Sequence, residues 1–150
     1  MKQILIENIL FIERLHRRFL DVIKAELDRL RVDDINNVQT LILYNINSER
    51  MTISELTNRG YYLGSNVSYN IKKLVENGYL VQEKSPHDKR AVRIRLSDKG
   101  LELCAKVDAF LERSVVVMKD TGVKELELGE TSKVLRKVER FLSDLLANIV

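Results

Sequence analysis

Between Ser65 and Asn77 the chain sets short polar and basic side chains at helical spacing: Ser65, Asn66, Ser68, Tyr69, Lys72 and Lys73. Further on, Asp88-Lys89-Arg90 places two adjacent cations beside one carboxylate, just after Pro86-His87. These residue types suit recognition of double-stranded DNA. An asparagine carboxamide can pair with the edge of adenine, a lysine can reach guanine or a phosphate, and a tyrosine can meet a thymine methyl group or the backbone. Guanidinium groups are drawn into the minor groove by its negative potential. Catalytic patterns are missing: the sequence has no Gly-rich phosphate loop, no His-Glu-x-x-His and no Gly-x-Ser-x-Gly, and His16 and His87 lie away from paired carboxylates. The chain reads as a binding protein and not as an enzyme.

With 150 residues, 45% apolar and 31% charged, the chain fits one ordinary globular domain that can bury a sizeable core without staples. A single cysteine, Cys104, excludes an internal disulfide, and two histidines with one cysteine are too few for a zinc cage. Neither cofactor nor metal is expected, and the cysteine usage points to a reducing, cytoplasmic compartment. The apolar start, Met1 to Phe11, is interrupted by Lys2, Glu7 and Asn8, and no small-residue cleavage pattern follows, which argues against a signal peptide. No run approaches the roughly 18 apolar residues of a membrane span, so no membrane partner is expected. The net charge of +3 becomes informative once divided: residues 1–50 balance at 0, residues 51–100 carry +4 and residues 101–150 carry −1. The middle third is the part suited to an anionic partner.

The polar and basic side chains need a scaffold, and the apolar pattern supplies one. Leu5, Ile9, Ile12, Phe19, Ile23, Leu27 and Leu30 recur at intervals that predict one long amphipathic helix over 4–31. It is too long for this core to cover, so part of its stripe should meet another chain. Asn36 or Asn37 can cap a second helix that turns Val38, Leu41, Ile42 and Tyr44 inward. Thr52-Ile53-Ser54-Glu55 fits a capping box and starts a short helix over 53–59. After a glycine-bracketed turn, Ser65 opens a helix with Val67, Ile71, Leu74 and Val75 inward, and Gly78 stops it. The period then changes to two: strands Tyr79–Lys84 and Val92–Leu96 form a hairpin with Val92, Ile94 and Leu96 inward and Arg93 and Arg95 outward. Ser97 caps a long helix carrying Leu103, Val107, Phe110, Leu111, Val115 and Met118, and a last apolar helix follows Gly122 and Gly129. The fold class is mainly α with a small antiparallel β-hairpin wing (α+β): a winged helix-turn-helix lobe at 35–97, flanked by long dimerisation helices at 4–31 and 98–150. Thr52 and Ser54 join Ser65, Asn66, Ser68, Tyr69, Lys72, Lys73, Lys89 and Arg90 as the DNA-facing set. Leu5, Ile9, Ile12, Val134, Val138, Phe141, Leu142, Leu145 and Ile149 form the stripes expected at a homodimer interface.

Asp88-Lys89-Arg90, followed by Val92, Ile94, Leu96-Ser97 and Gly100, resembles the wing signature of the MarR family. Ile35-Asn36-Asn37-Val38-Gln39 is similar to that family's opening of its second helix, and Leu74-Val75-Glu76-Asn77-Gly78-Tyr79-Leu80 to its recognition-helix exit. The run Arg59 to Asn70 is similar to a proteobacterial subgroup of LdtR-like regulators. Ser68-Tyr69 departs from the Thr-Arg of many members, and Ser97 from their threonine, which implies a different groove contact. The resemblance implies a homodimeric transcription factor, commonly a repressor, reading a pseudo-palindromic operator, with Asp88 orienting Arg90. It also implies a pocket for a small aromatic or phenolic effector, for which His16, Arg17, Phe19, Tyr44 and Arg59 are the candidates. Two other readings are a winged-helix protein-interaction module without DNA binding and a redox sensor acting through Cys104.

Overall fold

The computed structural model describes residues 1–60, 64–84, 87 and 92–149, with only the backbone described at Gly60, Gly64 and Ser65. The elements run α1 (Lys2–Arg29), α2 (Asn37–Ile46), β1 (Met51–Thr52), α3 (Ile53–Gly60), α4 (Gly64–Glu76), β2 (Leu80–Lys84), β3 (Val92–Leu96), α5 (Asp98–Asp120) and α6 (Glu125–Ile149). They form two compact units, Met1–Phe110 and Leu111–Val150, with the boundary falling within α5.

In the first unit, each helix near the wing begins or ends on a local signal. Asn36 caps α2 as half of a capping box: its side chain accepts from the Gln39 amide at 2.8 Å while the Gln39 carboxamide accepts from the Asn36 amide at 3.1 Å. Thr52 and Glu55 do the same for α3, at 3.1 and 3.2 Å. α4 ends in a Schellman pair, Tyr79 N–H to Leu74 C=O and Gly78 N–H to Val75 C=O. Gly78 sits at φ +80°, where any side chain would be strained. Ser97 Oγ accepts from the Gly100 amide at 3.2 Å and opens α5.

The core of this unit gathers Ile23 and Leu27 of α1, Ile42, Leu43 and Ile46 of α2, Leu56 of α3, and Val67, Ile71 and Leu74 of α4. Ile94 and Leu96 of β3 and Leu103, Cys104 and Val107 of α5 close it. The inward face of α2 is therefore shifted from the one expected: Val38 and Tyr44 are exposed and Gln39, Thr40 and Leu43 are buried with Ile42. The expected hairpin is a three-stranded antiparallel sheet of order β1-β3-β2, with Met51 opposite Ile94 and Leu80 opposite Leu96. β1 is two residues long, too short to leave a period-two signature. Val92, expected inward, is exposed: it pairs with Lys84 at the outer end of the hairpin, beyond the core.

In the second unit α6 contains no buried residue, and Val115, part of the apolar stripe of α5, is exposed.

Candidate nucleic-acid interface

The two orphan-amide groups at the start of α3 are answered by the Thr52–Glu55 exchange, which leaves Ser54 exposed on the first turn. Across the glycine turn, α4 is amphipathic by construction. Its 3.6-residue period sends Val67, Ile71 and Leu74 into the core and turns Asn66, Ser68, Tyr69 and Lys72 outward. Tyr69 is 61% exposed. Lys73 Nζ lies 5.9 Å from the Tyr69 ring centre and 3.5 Å from Glu76, so its charge is partly answered along the helix. Asn70, between the two faces, accepts from the Gln39 carboxamide at 3.1 Å and pins α4 to α2.

The exit of α4 is anchored by a polar hub that the sequence pattern did not announce. The Asp34 carboxylate accepts from Tyr79 Oη at 2.5 Å and from Lys99 Nζ at 2.7 Å, and its carbonyl accepts from the Asn77 carboxamide at 2.9 Å. Lys99 also donates to the Asn77 carbonyl at 2.9 Å and stands 4.3 Å from the centre of the Tyr79 ring. Burial alone would raise the Asp34 carboxyl, but the Lys99 and Tyr79 hydrogen bonds and the lysine charge outweigh it and hold the group below its ordinary value. Burial, then the bond to Asp34, raises the Tyr79 phenol, which stays a donor.

The sheet carries its own charge pattern. Arg95 Nε donates to Glu83 at 2.5 Å and Arg50 lies 3.6 Å from the same carboxylate. The Arg95 hydrogen bond, opposed by slight desolvation and helped by the Arg50 charge, keeps the Glu83 carboxyl below its ordinary value. Arg93 is exposed and opposite Thr52 in the β1–β3 register. Asp88, Lys89 and Arg90 lie outside the described residues, as does the side chain of Ser65.

The five effector candidates are distributed over three helices. His16, Arg17 and Phe19 are exposed on α1, where Arg17 comes within 4.0 Å of Glu13. Tyr44 Oη donates to Asp108 at 2.7 Å, and Arg59 donates to Glu49 at 2.5 Å and to the Asn45 carbonyl at 3.3 Å. A cavity of about 300 Å³ lies at the α1–α2 corner, lined by residues such as Leu27, Val32, Ile35 and Asn36, and none of the five candidates borders it. Cys104 is buried, and desolvation followed by the nearby Asp108 charge pushes its thiol up to about 11. That environment suppresses the thiolate a redox sensor needs. Of the candidate dimer residues, Leu5 and Val138 are half-buried within the single chain and Ile9, Ile12, Val134, Phe141, Leu142, Leu145 and Ile149 are exposed.

Residues 35–100, from the capping residues of α2 to the first turn of α5, match the family described as winged helix DNA-binding domain. The match spans the segment that bears α3, α4 and the sheet. The exopolysaccharide II synthesis transcriptional activator ExpG of Rhizobium meliloti is 45% identical over 93 residues, 62% of this chain and 48% of the relative. The chain spans about half the length of that relative. Among solved structures, MarR of Staphylococcus aureus, in complex with salicylate and kanamycin, superposes with a TM-score of 0.74 at 24% identity over 95% of this chain and 94% of that one. FabT of Streptococcus pneumoniae, in complex with DNA, does so with a TM-score of 0.70 at 22% identity over 97% and 99%. The fold matches that of these two structures. No helix among the described residues is long and apolar enough to cross a membrane.

Proposed function

We propose that the protein is a transcriptional regulator that binds double-stranded DNA as a homodimer. In this reading α4 lies in the major groove, with Asn66 and Tyr69 meeting base edges and Ser65, Ser68, Lys72 and Lys73 meeting bases or phosphates. Thr52 and Ser54 approach the backbone from the start of α3, and Lys89 and Arg90, oriented by Asp88, enter the adjacent minor groove. The observation that carries the reading is the α4 face: polar, basic and exposed, on a helix whose other side is fully committed to the core.

Two recognition helices must be about 34–36 Å apart to meet successive major grooves, which calls for a pseudo-palindromic site. The stripes on α1 and α6 are the surfaces we assign to pairing, since contiguous apolar patches of this kind commonly mark interfaces. A small aromatic or phenolic acid is the effector class we assign, in keeping with the salicylate complex of the staphylococcal relative in fold. It acts by differential affinity for two dimer geometries. Repression is the mode we assign first; the activator ExpG, at 45% identity, favours activation as the second reading. The test is selection of duplexes from a random pool followed by titration with salt. A steep negative slope of log affinity on log salt, with one enriched inverted repeat, is expected. No enrichment over bulk duplex would remove sequence-specific regulation from consideration.

A further inference from the structure

We propose that Asp34 is a positioning residue for the DNA-binding surface, a latch that sets the angle between the recognition helix α4 and the wing. The inference rests on the DNA-binding reading above and adds a residue that does not touch DNA. Only Asn77, Gly78 and Tyr79 separate α4 from β2. Gly78 has no side chain to wedge against either neighbour, so the angle between helix and wing is set by backbone hydrogen bonds and by the side chains that bridge the joint. Asp34, from the α1–α2 link, closes on both sides of that joint at once. Its carbonyl takes the Asn77 carboxamide on the helix side, and its carboxylate takes the Tyr79 hydroxyl on the strand side. Lys99, from the first turn of α5, completes the bridge by donating to both Asp34 and the Asn77 carbonyl.

The backbone confirms that the joint is a close-packed place. Ser97 N–H donates to the Tyr79 carbonyl at 2.9 Å, its hydroxyl donates to the Gly78 carbonyl, and a Cβ at Gly100 would collide with the Tyr79 carbonyl oxygen. Exposed ion pairs are usually worth little to stability. Asp34 and Lys99 keep 39% and 49% of their side chains exposed, so the pair is poorly suited to a purely stabilising role. What it does instead is join three segments whose relative placement decides whether α4 and the wing tip can contact one duplex together. A site held loosely by its supporting shell loses function before it loses fold.

The sign of the effect separates this role from simple electrostatics. Replacing Asp34 removes a negative charge, which by itself strengthens attraction to phosphate. The latch predicts the reverse. With duplex selected by the wild-type protein as the probe, Asp34→Asn and the charge-neutral Tyr79→Phe are expected to weaken binding by about fivefold, measured where circular dichroism shows each variant fully folded. The salt slope should flatten by about 0.9 for each phosphate contact the wing gives up. Lys99→Met should behave like them, and Lys99→Arg, which keeps charge and reach, should restore most of the affinity. Folded Asp34→Asn and Tyr79→Phe proteins with wild-type affinity and slope would overturn the latch, whatever their melting temperatures. A wild-type protein that selects no duplex would instead overturn the DNA reading on which the latch rests.

Discussion

Asn47 closes α2 at φ 51° and ψ −127°, a backbone conformation that side chains rarely adopt. Relieving it should help: Asn47→Gly is expected to raise stability by about 1 kcal/mol, read as a higher denaturant midpoint with an unchanged slope. Gly100 makes the opposite case, because its missing side chain is what lets α5 start against the Tyr79 carbonyl. Gly100→Ala should cost about 1–3 kcal/mol in the same measurement, since the obstacle is backbone and cannot swing aside. Protons act at this scale too. Asp34 and Glu83 both have carboxyls held below their ordinary values, so each contributes stability that is complete above the unfolded-state value. That contribution drains away as pH falls through the folded-state value. Asp34→Asn should therefore flatten the acid limb of a plot of melting temperature against pH, and a limb as steep as that of the wild type would assign the acid loss to other groups.

Elements whose boundaries are written in local chemistry were legible from the sequence. Asn36, Thr52 with Glu55, Gly78 and Ser97 each announce a helix end through a side chain or its absence, and each performs that role. Residues placed by tertiary partners were not legible in that way. Val38 and Tyr44 fit a helical stripe, yet α2 presents Thr40 and Leu43 to the core instead, because the packing of neighbouring elements decides which adjacent stripe is buried. β1 gave no signal because it is two residues long and exists through its pairing with β3. The polar face of α4 was readable from spacing, whereas the Asp34 hub joins residues 34, 77, 79 and 99, which no short window contains. A prediction belongs to the caps themselves. Thr52→Ala removes the hydroxyl that meets the Glu55 amide and should cost about 1 kcal/mol. A second concerns α4: Lys72→Ala should weaken all duplexes alike, and Asn66→Ala should relax one base position, both read from selections on the variants.

At the level of the whole molecule, the first unit has a core made by residues from α1 to α5, while α6 has no fully buried residue. Its stripe of Phe141, Leu142 and Leu145, like Ile9 and Ile12 of α1, stays exposed, and an apolar surface of this kind is stabilised by removal from water. Leu142→Asp should shift sedimentation toward monomer and weaken operator binding in step, as the proposed pairing of two lobes on one site requires; a monomer with unchanged affinity would break the link between pairing and recognition. The central claim, that α4 and the wing engage one duplex, is tested most directly by the salt dependence of binding to selected DNA. Binding that falls by orders of magnitude between about 50 and 200 mM salt, with a slope that drops by about one for Lys72→Ala, is the predicted result. Affinity that stays flat across that range would contradict it.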